Sequence, residues 1–304
     1  MSEISQSSQD YLCIRRALGY KLVGEGQLLG SFVAFLDEAG ECTITTELAV
    51  CWTRLAKTAS PPYQARRMRV VRNFARYRKA IDPGTEVPPV DLFPNHKYRP
   101  MPYIYSNAEI QELMTASRTL APELRAAKYE TLIGLLASTG MRIGEAMALD
   151  RKDINCSDGL LVIREAKFNK SREVLLHSST LSALSAYAAK RDLLCPHPSA
   201  PSFFVSTRGT RLLHSGVEPT FHSLATKAVP SSKHCRIHSL RHTFAVNTLL
   251  RWYRDGNDIE ARMPLLSTYL GHGDPRATYW YLSAVPELLS LATERLEQYM
   301  GERS

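Results

Sequence analysis

The chain has 304 residues, 44% hydrophobic and 22% charged, the balance of a globular protein and not of a disordered one. Lys and Arg total 38 against 30 Asp and Glu, a formal charge of +8, which points to a polyanionic partner. Apolar runs such as Leu132 to Ala137 fall far short of the ~20 residues that span a bilayer, and the polar start Met1-Ser-Glu-Ile lacks the layout of a secretion signal. A membrane protein is excluded, and a cytoplasmic location is expected over export. The six cysteines (Cys13, Cys42, Cys51, Cys156, Cys195, Cys235) are scattered, with no Cys-x-x-Cys pair, as in a reducing compartment.

In chain order, apolar positions recur helically in Tyr11–Leu18 and Leu28–Leu36, and Thr45 or Thr46 can cap a helix running to Lys57. Pro61-Pro62 breaks the chain before a basic segment, Tyr63 to Ile81, with Val70, Phe74, Tyr77 and Ile81 on one helical face. Arg69, Arg72, Arg76 and Lys79 follow a second stripe. With Arg66, Arg67 and Arg78 the segment carries seven cations and no acid. The bland reading is a solvated charged face; the sharper one is a nucleic-acid contact through Arg66, Arg67, Arg69, Arg72, Arg76 and Lys79. Residues 1–81 thus read as a small helical domain. The Pro- and Gly-rich stretch 82–103 reads as a linker, and 104–304 as a second domain.

In that second part, Ser106 followed by Glu109 is a capping-box signature. Glu130 to Ala137 is apolar enough for a buried helix, ending at Ser138-Thr-Gly140. Leu160–Ile163 and Glu173–Leu176 are β-prone runs flanking Lys167-Phe-Asn-Lys170, a plausible hairpin. Helical patterning resumes after Pro201 and continues to Met300. Leu288, Leu289, Ala292, Leu296 and Met300 form an apolar stripe in a C-terminal helix expected from about 285.

Several segments carry more polar residues than structure requires. Thr139-Gly-Met-Arg142-Ile-Gly-Glu145, His238-Ser-Leu-Arg241-His242-Thr-Phe-Ala, and Leu270-Gly-His272 followed nine residues on by Tyr281 occur in that order. Their sequence resembles the catalytic domain of the tyrosine recombinases, the phage-integrase type of site-specific DNA recombinase. Pro102-Tyr-Ile-Tyr-Ser-Asn-Ala-Glu-Ile is similar to the opening of that domain. The likeness spans about residues 102–285; the N-terminal region resembles the family's core-binding domain only in layout and charge.

The resemblance implies a mainly α fold with a small β-sheet or hairpin: an N-terminal helical core-binding (SAM-like) domain followed by the recombinase catalytic domain. It implies that Arg142 and Arg241 clamp the scissile phosphate and that Tyr281 attacks it, leaving a 3′-phosphotyrosyl bond. Lys167 would be the general acid for the departing 5′ oxygen, with Lys170 its rival. His238 would bond the phosphate and assist the tyrosine's proton transfer, His272 would donate to a phosphate oxygen, and Glu145 would buttress the site. Tyr279 is a rival nucleophile that the nine-residue step from His272 disfavours. His242 reads as structural, packing or bonding within its helix. His238 and His242 are four apart, yet no Glu follows His238 and Cys235 makes no metal spacing. No metal and no cofactor are expected.

The chemistry accounts for these residue types. A side chain must hold the phosphodiester's energy as an ester, and a phenol can do so, although its free pKa near 10 calls for help in losing the proton. Guanidinium groups supply fixed bidentate donors to the charge that develops on phosphate. Implied partners are double-stranded DNA, further copies in a tetramer on two DNA sites, and accessory recombinases, acting at the nucleoid. The C-terminal segment would dock on a neighbouring copy. A type IB topoisomerase-like activity shares this chemistry; a DNA-binding regulator with a degenerate site is the other alternative, disfavoured by the intact residue set. Integration, transposition and dimer resolution are not separated, though Tyr-Trp-Tyr-Leu-Ser-Ala-Val-Pro-Glu-Leu resembles recombinases of mobile elements.

Overall fold

The helix starts are written in capping chemistry. In the computed structural model, which describes residues 2–94, 101–164, 171–230, 235–284 and 286–301, the Ser2 hydroxyl accepts from the Ser5 amide at 3.2 Å and opens α1, Glu3–Ala17. Side chains at 283, 284, 292, 295, 296 and 298–301 lie outside the description. The second helix, α2, spans Val23–Ala39 and stops at Gly40, whose φ of 71° suits glycine. Thr45 caps α3, Thr46–Arg54. Pro61 and Pro62 begin α4, Pro61–Arg78, where a missing N–H removes no helical bond.

The chain divides into two units, Met1–Pro100 and Met101–Ser304. In the first, Phe32, Leu36, Trp52, Val71 and Phe74 are fully buried between α1–α4, each such side chain contributing about 1.5–3 kcal/mol. Residues 82–94 form neither helix nor strand. They are nevertheless tied to this unit: the Glu86 amide donates to the Ile44 carbonyl at 2.7 Å, and its carboxylate accepts from the Thr46 amide at 2.8 Å. Val87 and Phe93 pack on the same core.

This packing corrects part of the basic-helix reading. Arg67 is buried, with its guanidinium 3.7 Å from the Trp52 ring centroid and donating to the Trp52 carbonyl at 2.7 Å. Arg72 is buried too, donating to the carbonyls of Pro88 and Pro89. Burial and the charge of Arg76 lower its pKa. Arg78 bonds Ser7 and Glu3. These three cations fasten chain segments together, so the expected phosphate contact is withdrawn for Arg67 and Arg72. Arg69, Arg76 and Lys79 are exposed, and Arg66 is half-buried against Glu25 at 3.1 Å. Ile81, expected on the apolar face, lies past the helix end and is exposed.

The second unit opens with α5, Asn107–Ser117, whose capping box of Ser106 and Glu109 is present in both directions. Next comes α6, Glu123–Thr139, closed by Gly140, then α7, Ile143–Ala148. Strands β1 (Ile154–Asn155), β2 (Leu160–Ile163) and β3 (Arg172–Leu175) form an antiparallel sheet in that order. Ile163 pairs with Arg172 and Leu161 with Val174, so the strand ends flank 165–170, and Lys167 and Lys170 lie outside the described residues. The remaining helices are α8 (Ser178–Leu194), α9 (His214–Ala228), α10 (Ser239–Arg254), α11 (Ile259–Leu270), α12 (Arg276–Ala284) and α13 (Pro286–Gly301). Among the described residues, no helix is long and apolar enough to cross a membrane.

Two apolar clusters organise this unit. One joins α5, α6 and the sheet through Leu113, Leu132, Ile133, Leu161 and Val174. The other, Val246, Leu249, Met263, Leu270, Tyr281 and Leu288, sews α10–α13 together. The tail stripe is therefore divided. Leu288 is 1% exposed inside that second cluster whereas Leu289 faces outward, and Ala292, Leu296 and Met300 have side chains outside the description. Glu287 adds an ion pair to Arg254 at 2.6 Å.

Candidate active site

The C-terminal ends of α6 and α11 converge here on the start of α10, each of those two ends leaving carbonyls without intrahelical partners. At the end of α6, Gly140 has φ 61°, and a Cβ there would stand 2.5 Å from Phe244 on α10. Glycine is thus required by both conformation and space. At the end of α11, Gly271 (φ 67°) leaves room for Arg172, whose guanidinium would be 2.6 Å from a Cβ. Close approach at both points brings the arginines onto the carbonyls that the helix ends leave free.

Arg241, on the first turn of α10, is 2% exposed and donates to the Gly140 carbonyl at 2.8 Å and the Leu270 carbonyl at 2.7 Å. Burial and the charge of Arg142 push its pKa down to about 10, against an upward pull from Tyr281 and Glu145. It stays cationic at neutral pH. Arg142 precedes α7, donating to the Gly271 carbonyl at 2.8 Å and to Glu145 at 2.7 Å. The Glu145 side chain is 8% exposed and also takes the fork of Arg172 at 2.8 and 3.1 Å. Burial raises the Glu145 pKa, but bonds from Arg172 and Arg142 outweigh it and hold the value below the ordinary one. One carboxylate therefore stands among three guanidinium groups, leaving a net positive site suited to phosphate.

Tyr281 on α12 is 1% exposed, and its hydroxyl lies 2.8 Å from Nδ1 of His242. His242, read as structural by packing or bonding within its helix, thus bonds across to α12. His238, at the start of α10, meets the His242 ring edge-on at 4.8 Å. His272 follows Gly271, and its Nδ1 is 2.6 Å from the hydroxyl of Thr278 on α12. Tyr279 is 44% exposed, whereas Tyr281 is buried within electrostatic reach of Arg241. The fold thus gathers Arg142, Glu145, Arg241, His238, His272 and Tyr281 around the ends of α6, α10 and α11. The basic helix α4 belongs to the other unit. Among the described residues, no group of three or more His, Cys, Asp or Glu is placed to hold a metal ion.

Arg172 was not singled out in the sequence. Its signal was the alternation of β3: Val174 is inward, so Arg172, two residues before, shares the core face. His242 carried no local sign, since its partner lies 39 residues away.

The phage integrase family model matches residues 104–287. The chain belongs to the phage integrase family. This integrase-family chain is 40% identical to a Sinorhizobium fredii protein named integrase/recombinase y4rB, over 100% of both chains. Its fold is that of the XerA recombinase crystal structure, with a TM-score of 0.52 and 25% identity over 100% of this chain and 99% of that one. It also shares its fold with the Tn1549 transposon integrase in complex with a circular intermediate DNA, with a TM-score of 0.66 at 17% identity over 97% and 100% of the two chains. The protein is accordingly an enzyme of the tyrosine recombinase type, acting in site-specific DNA recombination.

Proposed function

We propose that this recombinase cleaves DNA by attack of the Tyr281 hydroxyl on a scissile phosphate clamped by Arg142 and Arg241. The observation that carries this reading is the buried Tyr281–His242 pair beside two guanidinium groups anchored on backbone carbonyls. In the step, the Tyr281 oxygen bonds to phosphorus, the bond to the 5′ oxygen breaks, and the result is a 3′-phosphotyrosyl ester with a free 5′ hydroxyl. The phenolic proton passes to the histidine side, where His238 and His242 adjoin. Lys167 protonates the leaving oxygen, and a 5′ hydroxyl from a partner strand reverses the step. Donors held on backbone carbonyls need no reorganisation as charge develops, the condition under which they contribute most. His272 adds a donor to a phosphate oxygen.

Tyr281 is 1% exposed, so attack on a duplex requires α12 to shift. Arg66, Arg69, Arg76 and Lys79 contribute backbone contacts from the first unit, which position DNA without reading sequence. The enzyme works as a tetramer on two DNA sites, with accessory recombinases as partners, in the nucleoid-containing cytoplasm where its substrate lies. The kinship in fold with a transposon integrase supports movement of a mobile element as the task.

A nicked suicide duplex tests the chemistry: wild type forms a covalent adduct that Tyr281→Phe abolishes and Tyr279→Phe retains. An adduct that survives Tyr281→Phe refutes the assignment. Exchanged products distinguish recombination from topoisomerase-like relaxation. Truncation after Leu291, which keeps the buried Leu288, should weaken synapsis more than binding to one site.

A further inference from the structure

A second cationic cavity lies within the catalytic unit, away from Tyr281. Arg125 and Lys128 of α6, Arg208 and Arg211 of the segment before α9, and the first turn of α9 line a space of about 370 Å³. Lys128 is 4% exposed, and of its three donors only one meets an acceptor among the described residues, the Val205 carbonyl at 3.3 Å. Among those residues no carboxylate pairs with Lys128, Arg125 or Arg208, while Arg211 is matched by Asp150 at 2.6 Å. An ammonium buried without a counter-ion is costly. Burial and the neighbouring Arg125 push the pKa of Lys128 down to about 8.

The rest of the lining is also made for an anion. The 15-residue α9 begins after Leu213 with no side-chain cap, so its amide end and dipole face the cavity mouth without a competing side-chain oxygen. The hydroxyls of Ser206 and Thr210, 2.8 Å apart, stand on the same wall.

We propose that this cavity is a phosphate-binding subsite, separate from the clamp of Arg142 and Arg241. The phosphate has two sources: a backbone phosphate of the duplex held at the active site, or a free phosphate. The first rests on the recombinase reading above; the second does not. Geometry allows the first. The His214 ring on α9 is 3.6 Å from where a Cβ on Gly144 would stand, so α9, whose first turn lines the subsite, packs on α7, the helix that follows Arg142. Along α6, Lys128 precedes Thr139 by 11 residues, which is ~16 Å at 1.5 Å per residue.

The test uses the full chain as wild type, Lys128→Met and Arg208→Gln. Duplex affinity is measured between about 50 and 200 mM salt, where each neutralised phosphate contributes about 0.9 to the slope of log affinity on log salt. Melting is compared in inorganic phosphate and in chloride at matched ionic strength. A backbone source lowers the slope by about 1 in each variant. A free-phosphate source leaves the slope unchanged but gives a phosphate-dependent rise in melting temperature that both variants lose. Either result, or both together, upholds the subsite. Variants that match wild type in slope and in phosphate response overturn it. Arg208 is exposed, so Arg208→Gln decides the matter if Lys128→Met does not fold. Adduct formation by wild type on the nicked duplex is scored separately; its failure refutes the recombinase mechanism and leaves the phosphate response to judge the subsite.

Discussion

Glu145→Gln is the most exacting perturbation of this site, because it preserves shape and removes only charge and one acceptor. The carboxylate takes four bonds: two from Arg172, one from the Arg142 guanidinium and one from the Arg142 amide. Each oxygen takes two of these bonds, so a glutamine keeps one pair and turns an NH2 toward the other, and a donor meets donors at two of the four positions. Removing one partner of a buried pair costs about 3–5 kcal/mol. The Arg142 side chain is 27% exposed and regains part of this from water, which places the loss of stability near 3 kcal/mol. The rate should fall further than folding does, because Arg142 loses the contact that aims it. Loss of one such donor is worth about 10²–10³-fold. The assay is single-turnover adduct formation on a nicked duplex at saturating protein, with affinity measured apart. A folded Glu145→Gln that forms adduct within threefold of wild type (roughly 0.65 kcal/mol) would show that Arg142 is aimed by the Gly271 carbonyl alone, and the buttress role would fall.

Other outcomes follow from the same contacts. His242→Ala deletes a bond to a hydroxyl that is 1% exposed. A cost of about 1–2 kcal/mol should speed amide exchange in 276–284 by about 5–30-fold, with partial recovery in His242→Gln; unchanged exchange would show that the pair does not hold α12. Arg69→Gln with Arg76→Gln should lower the salt slope of DNA binding by about 2 at unchanged melting temperature, whereas Arg72→Ala should lower stability because three carbonyls lose their donor. A reversed pattern would return Arg72 to the DNA face. For pH, the native pKa of Lys128 is about 8 against an ordinary 10.5. Between those values the unfolded chain binds the extra proton, so wild type gains stability as pH rises from about 8 to about 10, by roughly 2 kcal/mol. Lys128→Met lacks that gain, and a pH-independent difference in melting between the two proteins would contradict it.

What the sequence disclosed and what it hid divide along physical lines. Local signals were legible: Thr45 and Ser106 cap the helices they announce, and Leu160–Ile163 pairs with the strand after 170. The motif arginines, histidines and Tyr281 were also visible, because their spacing is short and ordered. Hidden were outcomes set by distant partners. Nothing near Arg67 or Arg72 announces the Trp52 and Pro88 carbonyls that bury them, so a cationic stripe reads the same whether it faces solvent or core. The helix read over Glu130 to Ala137 in fact starts at Glu123, and its first turns bury Lys128, a residue whose charge gives no sign of it.

The choice of anchors explains how this site can be both buried and ready for an anion. An arginine held by a carboxylate is neutralised by it, and a phosphate arriving there must compete with the acid. Arg241 is held instead by carbonyls at the ends of α6 and α11, whose partial negative charge fixes the guanidinium without cancelling it. Arg142 uses the same device at Gly271 and shares its one carboxylate with Arg172. The glycines at 140 and 271 matter because they let those carbonyls come close. A side chain at either would meet Phe244 or Arg172 under 3 Å away, moving the anchor before it touched the chemistry. Gly140→Ala should therefore lower adduct formation more than duplex affinity, and equal losses in both would place the glycine's role in folding alone.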